Sequence, residues 1–268
     1  MSEVKRFSDY GNRKADEYIE GLVSVITPVY NAGKYLDRTL NSVFHQTYKN
    51  IEIVLVDDQS KDNSAEIIKE YQKMHPEIVY FLQPENKGAG YARNKALELA
   101  KGQYVAFLDS DDIWKPEKVE KQVRLLKENN ASFCFTAIEM IDSTDKVIKN
   151  KREVKAVIDY GFLLSNTMIP TSGVMVDRRV KGDFRMHLRR GGQDYATWLR
   201  LLRDGSKAYG LNEALVGYRI SEGSLSSNKI KSIRQIWEIQ TQDEGIGKMK
   251  AAMNICIWCL NSVKKYWM

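Results

Sequence analysis

The segment from Leu22 to Asp58 reads LVSVITPVYNAGKYLDRTLNSVFHQTYKNIEIVLVDD, and it decides the fold. Its two ends, LVSVIT and IEIVLV, are short apolar runs rich in β-branched residues, which is typical of buried strands. Between them, AGKYLDRTLNSVFHQ places apolar residues at helical spacing. A strand, a helix and a strand in this order predict the opening of a βαβ unit with parallel strands.

The same alternation continues as far as Trp114. SAEIIKEYQKM and GYARNKALELA predict helices, whereas IVYFL and YVAFLD predict strands. We therefore expect an α/β fold, Rossmann-like, with a mostly parallel sheet flanked by helices. Beyond Trp114, VEKQVRLLKEN and DYATWLRLLRDG predict helices, and ASFCFTAIEMID, SGVMVD and residues 208–219 predict further strands. Because the regular alternation is lost there, we expect the second half to be mixed.

Changes in pattern divide the chain into three predicted parts. Residues 1–21 are charged and poor in large apolar side chains, which indicates an N-terminal extension. Residues 22–228 form the predicted main domain, with a parallel half (22–114) and a mixed half (115–228). Residues 229–268 predict a helical tail.

Composition narrows the class of protein only in part. The 41 lysines and arginines exceed the 35 acidic residues by six, but no basic stripe is interleaved with aromatic residues, so we expect no nucleic-acid partner. The three cysteines are too few for a disulfide framework, and Cys256 and Cys259 lack the second pair of a zinc site. No signal-like segment and no run of about 18 apolar residues occurs. We therefore expect a cytoplasmic location.

Two groups of acidic residues follow predicted strands. Asp57 and Asp58 come after IEIVLV, and Asp109, Asp111 and Asp112 come after YVAF. Ligands of open parallel sheets bind outside the carboxyl ends of the strands, where both groups would lie. Crowded carboxylates suit a hard divalent cation such as Mg²⁺ or Mn²⁺, and a metal bridging a substrate diphosphate would follow. Helix capping by single aspartates is the alternative interpretation.

Four ordered segments carry a family resemblance. They are VSVITPVYNAGKYLDRTLNSVFHQTYKNIEIVLVDDQSKDNS, ENKGAGYARNKALELAKGQYVAFLDSDD, QDYATWLRLL and YRISEGSLSSNK, within residues 22–228. Together they resemble the family 2 glycosyltransferases, inverting enzymes of the GT-A fold that include bacterial surface-polysaccharide enzymes. The resemblance implies that residues 22–114 bind the nucleotide and residues 115–228 face the acceptor.

The resemblance also implies a site for a UDP-sugar. Pro28, Val29 and Tyr30 would wall the uracil pocket, and Asp58 would accept a hydrogen bond from the base N3–H. Asp111 would bind the metal directly, and Asp109 would meet the ribose or assist the metal. The full set expected to bind the nucleotide sugar is Pro28, Val29, Tyr30, Asn31, Asp58, Asn86, Gly88, Arg93, Asp109, Ser110, Arg219, Ser224 and Ser226. Arg219, with Ser224 or Ser226, would clamp the diphosphate, whereas Asp112 would cap the next helix.

On the acceptor side, the resemblance implies that Asp194 is the catalytic base. A carboxylate there would take the proton of an acceptor hydroxyl as its oxygen attacks the sugar. A helix N-cap is the alternative role. Gln193 and Trp198 are expected to line the acceptor side. The chain departs from many relatives at Gln193, where they have Glu, and at Ser221, where they have His.

The tail carries an apolar stripe at helical spacing, formed by Ile246, Met249, Met253, Cys256, Leu260, Val263 and Trp267. Such a stripe predicts packing against the catalytic domain or against a second subunit in a homodimer. The alternative is an interfacial helix on an anionic membrane, because lysines occupy other positions of the same helix. The protein would then be peripheral on the inner face of the cytoplasmic membrane.

These observations predict a metal-dependent, inverting hexosyltransferase that uses a UDP-sugar. Its acceptor would be a glycan or lipid-linked saccharide in the assembly of capsule, O-antigen, lipopolysaccharide or another surface polysaccharide. Two alternatives stay open at this point. One is a polyprenyl-phosphate sugar transferase, which commonly continues into membrane helices, and the other is a non-catalytic nucleotide-sugar-binding module.

Overall fold

Four parallel strands and the helices between them form the first half of the fold, as the sequence predicts. The computed structural model describes residues 13–189, 191–220 and 229–267 of the chain. The elements of this half are β1 (Ile19–Val29), α1 (Leu36–Phe44), β2 (Ile51–Asp57), α2 (Ser64–Met74), β3 (Ile78–Leu82), α3 (Ala89–Leu99) and β4 (Gly102–Phe107).

The second half is mixed, also as predicted. Its elements are β5 (Ile113–Trp114), α4 (Lys118–Glu128), β6 (Phe133–Ile141), β7 (Val147–Arg152), β8 (Val157–Ile158), α5 (Tyr160–Leu164), β9 (Met175–Asp177), α6 (Arg178–Lys181), α7 (Gln193–Leu202) and β10 (Ala208–Arg219). Residues 208–219 form one long strand rather than several short ones. The sequence did not predict β7, β8 and α5, because β7 is largely exposed and polar and the other two are very short.

Within the described residues, the strands form one sheet. Its main order is β3-β2-β1-β4-β9-β6-β10-β5, while β7 pairs with β6 and β8 pairs with β10. Strands β1 to β4 pair in parallel, and β9 enters antiparallel to both β4 and β6. Because β9 runs against β4, the residues just before β9 lie beside the carboxyl end of β4.

Helices cover both faces of the sheet. On one face, α1, α2 and α4 bury apolar side chains such as Leu40, Ile68 and Val123 against the strands. On the other face, α3, α5 and α7 pack in the same way and are joined by Ile236 and Ile239 of the tail. Burial of apolar surface on both sides stabilises the parallel arrangement and leaves the carboxyl ends of the strands for ligands.

The N-terminal part of the fold begins before the predicted boundary at residue 22. Tyr18 is buried under the guanidinium of Arg178, and Arg13 donates a hydrogen bond to the Ala100 carbonyl over 2.6 Å. Arg178 also donates to the Leu97 and Ala100 carbonyls, so two arginines satisfy the C-terminal end of α3. Residues 13–21 are therefore part of the domain, and the remainder of the predicted extension lies outside the described residues.

The tail consists of α8 (Lys229–Glu238), a π-helical turn (Ile239–Asp243) and α9 (Lys248–Trp267). Gln240 of the turn is fully buried and donates hydrogen bonds to the Leu164 carbonyl and the Tyr195 hydroxyl, while its Oε1 accepts from Asn254 of α9. The tail is thus attached to the mixed half of the fold (115–228) through a buried polar network. No helix in the described parts of the chain is long and apolar enough to cross a membrane.

The predicted apolar stripe of the tail does not make this contact. Ile246 packs against the core, but Met249, Met253 and Leu260 are 88%, 57% and 64% exposed. The buried face of α9 carries Ala251 and Asn254 instead. The prediction that the stripe packs onto the catalytic domain is therefore wrong for these residues. The side chains of Val263 and Trp267 lie outside the described residues.

Candidate active site

The carboxyl ends of β1, β2 and β4 bring the predicted donor residues to one edge of the sheet. Pro28 and Val29 are buried at the end of β1, and the exposed Tyr30 follows them. Asp57 pairs with Val29 across β1 and β2, and Asp58 donates its backbone N–H to the Val29 carbonyl over 2.8 Å. Tyr30 is 54% exposed, so its ring is available to a flat ligand such as a base.

Asn31 shapes the loop that follows Tyr30. Its backbone is left-handed, with φ of 48°, and its Oδ1 accepts a hydrogen bond from the Lys61 amide over 2.7 Å. Its own amide donates to Ser60 Oγ over 3.0 Å. Asn tolerates this backbone conformation better than most residues, which explains its use at the turn.

Asp58 has a structural role in a second loop. The side chain is only 2% exposed, and it accepts hydrogen bonds from Gln83 Nε2 (2.5 Å), the Lys87 amide (2.8 Å) and the Gly88 amide (2.6 Å). Asn86 Nδ2 donates to the Asp58 carbonyl over 2.8 Å, so this side chain also holds the loop. A contact between Asp58 and uracil N3–H stays a prediction.

Arg93 on α3 connects the acidic turn after β4 to the start of α7. Its Nη2 donates to Asp109 Oδ1 over 2.5 Å, and its Nη1 donates to Gln193 Oε1 over 3.4 Å. Gly90, one turn earlier, allows this approach, because a Cβ atom there would come within 3.0 Å of Gln193 Oε1. The guanidinium also attracts the carboxylates of Asp111 and Asp194 electrostatically.

The turn after β4 concentrates negative charge. Burial and the adjacent Asp109 raise the pKa of Asp111 to about 6, although Arg219 and Arg93 oppose this shift. A divalent cation would supply the missing positive charge, and Asp111 and Asp109 offer the hard oxygen ligands it prefers. The described residues hold no group of three or more acidic, His or Cys side chains that could bind a metal unaided. The donor set therefore fits a cation that takes its other ligands from water and a diphosphate.

Asp112 does not cap a helix, contrary to the sequence-based expectation. Its buried carboxylate accepts hydrogen bonds from Ser172 Oγ over 2.5 Å and from the Arg219 amide over 2.8 Å. Burial, together with the charges of Asp111 and Asp109, raises its pKa well above the ordinary value. Ser172 Oγ also accepts from the Asp109 amide over 3.1 Å, so this hydroxyl fixes both ends of the acidic turn.

Arg219 supports the acidic turn from inside the protein. Its side chain is fully buried, and its Nε donates to the Asp111 carbonyl over 2.7 Å. The other guanidinium nitrogens donate to the Asp142 carbonyl and to Asp145 Oδ1, and the group stacks on the Tyr35 ring. Every nitrogen of this guanidinium thus has a protein partner, and a contact between Arg219 and a diphosphate stays a prediction. Ser224 and Ser226 lie outside the described residues.

The candidate base lies in the first turn of α7. The carboxylate of Asp194 is partly buried, with Oδ1 accepting from the Tyr195 amide over 2.8 Å and Oδ2 accepting from Thr171 Oγ1 over 3.4 Å. Burial raises its pKa above the ordinary value, while Arg93 lowers it. Helix α7 begins one residue earlier, after Gly192, so Asp194 is not its N-cap.

Trp198 does not line the acceptor side. It is fully buried and its ring lies 5.4 Å, centroid to centroid, from both Phe107 and Phe133. These contacts anchor α7 in the core. Gln193 is partly buried and touches Arg93, so this predicted acceptor-side residue does lie at the site.

The sequence did not predict that Thr171 and Ser172 lie at the site. They form a 3₁₀ turn, Thr171–Gly173, just before β9, and they contact Asp194, Asp112 and the amide of Asp109. The only sequence signal is a short polar segment before an apolar strand. Its importance follows from the antiparallel pairing of β9 with β4, which the sequence alone does not specify.

Comparison with known proteins identifies the family of this chain. Residues 24–187 match glycosyl transferase family 2, and the chain belongs to this family. It is 41% identical over 244 residues to the putative teichuronic acid biosynthesis glycosyltransferase TuaG of Bacillus subtilis, covering 91% of this chain and 97% of that protein. A second relative is WfgD of Escherichia coli, named as a UDP-Glc:α-D-GlcNAc-diphosphoundecaprenol β-1,3-glucosyltransferase. The identity to WfgD is 36% over 225 residues, covering 84% of this chain and 86% of that protein.

Solved structures show the same fold. The S. aureus TarS fragment in complex with UDP-GlcNAc matches with a TM-score of 0.68 and 20% identity, covering 89% of this chain and 71% of that one. The mannosyltransferase PcManGT of Pyrobaculum calidifontis, in complex with GDP-Man and Mn²⁺, matches with a TM-score of 0.64 and 18% identity, covering 84% and 65%. The predicted GT-A fold is thereby confirmed.

Proposed function

We propose that this glycosyltransferase moves a hexose from a UDP-sugar to a hydroxyl of a lipid-linked saccharide or surface glycan, with inversion at the anomeric carbon. One observation carries the proposal: Arg93 lies between the donor carboxylates and the candidate base. It binds Asp109 over 2.5 Å and attracts both Asp111 and Asp194. The residues needed to hold a nucleotide sugar and to deprotonate an acceptor thus meet around one side chain.

Donor binding is assigned to the edge formed by β1, β2 and β4. The exposed ring of Tyr30 flanks the base, and the loop held by Asp58 and Asn86 closes the pocket. UDP as the nucleotide is supported by the UDP-glucose in the name of the WfgD relative and by the UDP-GlcNAc complex of TarS. The choice of sugar is left to a donor screen.

Asp111, with Asp109, would hold a divalent cation, which stabilises the negative charge that develops on the departing nucleoside diphosphate. Arg93 keeps Asp109 in place through their short ion pair, and Ser172 and Arg219 fix the turn that carries Asp111. Because these contacts are formed before the ligand arrives, the carboxylates require little rearrangement.

Asp194 performs the proton transfer in this proposal. Its carboxylate removes the proton of an acceptor hydroxyl while the hydroxyl oxygen forms a bond to C1 of the sugar. The bond between C1 and the β-phosphate oxygen breaks, and its electron pair leaves with UDP. Desolvation raises the pKa of this partly buried carboxylate, which makes it a stronger base than an exposed one and suits this role.

The acceptor class is supported by the named relatives, of which one acts on a diphosphoundecaprenol-linked sugar and one is assigned to teichuronic acid biosynthesis. We therefore place the protein in surface-polysaccharide assembly, with a saccharide carried by a polyprenyl diphosphate as its acceptor. The acceptor would bind near Gln193 and Asp194.

The test compares Asp194→Asn with the wild type in a donor screen that reads both UDP release and glycan product. The acceptor is GlcNAc diphosphate on a short, water-soluble alkyl chain. We expect Asp194→Asn to lower transfer by about 10²- to 10⁴-fold and to leave UDP affinity within about twofold. Asp16→Asn, at an exposed position, is the matched control. Full turnover by Asp194→Asn, or a product with retained anomeric configuration, would overturn the proposal.

A further inference from the structure

Helix α9 has two apolar faces, and the described parts of the chain cover one of them. On the covered face, Ala251 and Asn254 are buried and Trp258 Nε1 donates to Thr167 Oγ1 over 2.8 Å. The opposite face presents a continuous strip of apolar side chains at helical spacing. We call it the α9 outer face, and its residues are Met249, Met253, Cys256, Ile257 and Leu260, all exposed.

The charge of the same helix is entirely positive. Between Lys248 and Trp267 the sequence contains four lysines, Lys248, Lys250, Lys264 and Lys265, and no aspartate or glutamate. Lys248 and Lys250 are exposed next to Met249. The whole chain has a net charge of +6, so this one helix carries a charge equal to two thirds of it.

This combination distinguishes between the possible occupants of the outer face. A second copy of the chain would bring two helices of charge +4 together, and their repulsion would oppose burial of the apolar strip. An anionic lipid surface offers the opposite charge to the lysines and an apolar layer to the methionines and leucine. The chemistry of the face therefore favours the lipid surface.

The position of α9 connects this face to the reaction. Trp258 contacts Thr167, and Asn261 Nδ2 donates to Asn166 Oδ1 over 3.1 Å. Four residues after Thr167, Thr171 contacts the carboxylate of Asp194. Helix α9 thus lies along the segment that leads directly to the acceptor side of the candidate site.

We propose that the α9 outer face docks onto an anionic bilayer surface and thereby presents the acceptor side of the site to a polyprenyl-linked saccharide. The proposal rests on the proposed function for the identity of the acceptor. Docking requires no rearrangement of the fold, because the buried face of α9 stays packed on the protein. It brings the enzyme and the membrane-bound acceptor into the same two-dimensional layer.

The test is flotation of the full-length protein with vesicles of phosphatidylglycerol and phosphatidylcholine, or of phosphatidylcholine alone. The variant Met253→Glu/Leu260→Glu places two charges on the outer face. The matched control, Met74→Glu/Val180→Glu, makes the same chemical change at exposed positions of α2 and α6. We expect the wild type and the control to float with the anionic vesicles, and the outer-face variant to lose at least tenfold in partitioning.

Activity separates this proposal from the proposed function. The outer-face variant should transfer sugar to the short-chain, water-soluble acceptor at the wild-type rate and to the vesicle-bound acceptor at least tenfold more slowly. If the wild type transfers sugar to neither acceptor, the proposed function is refuted instead. Docking is refuted if the wild type does not float, if the control loses partitioning equally, or if sedimentation shows a dimer that only the outer-face variant dissociates.

Discussion

Ser172 donates a hydrogen bond from Oγ to the buried carboxylate of Asp112 over 2.5 Å, although 60 residues separate them in the sequence. The same oxygen accepts from the Asp109 amide, so one hydroxyl holds the acidic turn against the start of β9. The metal-binding carboxylates of the proposed mechanism are therefore positioned by a residue that is itself hidden from any ligand.

Ser172→Ala should loosen this turn. The variant leaves the buried carboxylate of Asp112 and the partly buried amide of Asp109 each short of one partner, which costs about 1–3 kcal/mol in the free energy of unfolding. We also expect transfer to fall several-fold, because Asp109 and Asp111 lose part of their support. Urea unfolding and kcat/KM are the measurements, with the exposed Ser143→Ala as control. Unchanged stability together with unchanged transfer would contradict the assignment.

Arg219 offers a test of a structural role against a phosphate-binding role. Because its buried guanidinium bonds to Asp111, Asp142 and Asp145, Arg219→Gln should lower the free energy of unfolding by about 3–5 kcal/mol. UDP affinity of the folded fraction should fall by less than about tenfold, since no direct contact is lost. Calorimetric UDP binding and urea unfolding separate the two roles. A large loss of affinity at normal stability would support the diphosphate clamp that the sequence predicts.

Removal of the divalent cation should affect donor binding through Asp111. Chelation is expected to abolish transfer by the wild type, and Mn²⁺ or Mg²⁺ should restore it. Asp111→Asn should lower transfer by at least about 100-fold and make UDP binding insensitive to added Mn²⁺. Asp16→Asn should behave as the wild type. Metal-enhanced UDP binding that persists in Asp111→Asn would exclude this residue as the ligand.

The pH dependence of transfer should report the partly buried carboxylate of Asp194. The base acts only when deprotonated, and burial raises its pKa, so kcat/KM should decline on acidification at a higher pH than for an ordinary aspartate. UDP binding measured over the same range identifies any contribution from the donor site. If kcat/KM stays constant as the pH is lowered to the ordinary aspartate pKa, the result would argue against Asp194 as the base.

Lys118 predicts a pH-dependent stability. It is fully buried on α4, with Nζ 3.8 Å from the centroid of the Trp114 ring, and burial lowers its pKa to about 7. The pKa of an unfolded lysine is about 10.4. Between the two pKa values the unfolded chain therefore binds more protons than the folded chain. The folded state therefore gains stability as pH rises through this window, and loses it as pH falls toward 7.

Lys118→Met removes this titration. From pH 7 to pH 9, the free energy of unfolding of the wild type should rise relative to the variant by at most about 3 kcal/mol. Chemical unfolding of both proteins at the two pH values is the measurement, and all other titrating groups cancel in the difference. Parallel pH dependences would show that Lys118 is not neutral in the folded protein.

The parallel half of the fold was predictable because its information is local. Apolar runs such as IEIVLV are typical of buried strands, and a strand end followed by Asp57 and Asp58 places those carboxylates at the ligand edge. Asp109 and Asp111 were predicted in the same way from their place after a strand, whereas Asp194 was predicted through the family resemblance. The structure then added their mutual arrangement around Arg93.

The remaining features depend on which distant segments pair, and local patterns do not contain that information. Ser172 reaches Asp112 only because β9 runs antiparallel to β4. Arg219 points inward because partners at Asp142 and Asp145 are provided by the turn between β6 and β7. In α9 the spacing of Met249, Met253 and Leu260 is as regular as that of Ala251, Asn254 and Trp258, so periodicity cannot say which face is buried.

The buried amide of Gln240 has a consequence for how this protein can be divided. It joins α5, α7 and α9 in one hydrogen-bonded network, while Ile236 and Ile239 complete the core beneath them. A recombinant protein shortened to residue 228 would expose that core and aggregate. Chimeras that exchange acceptor preference between two relatives should therefore exchange the tail and the acceptor-side half together, because the two parts share one buried network and core.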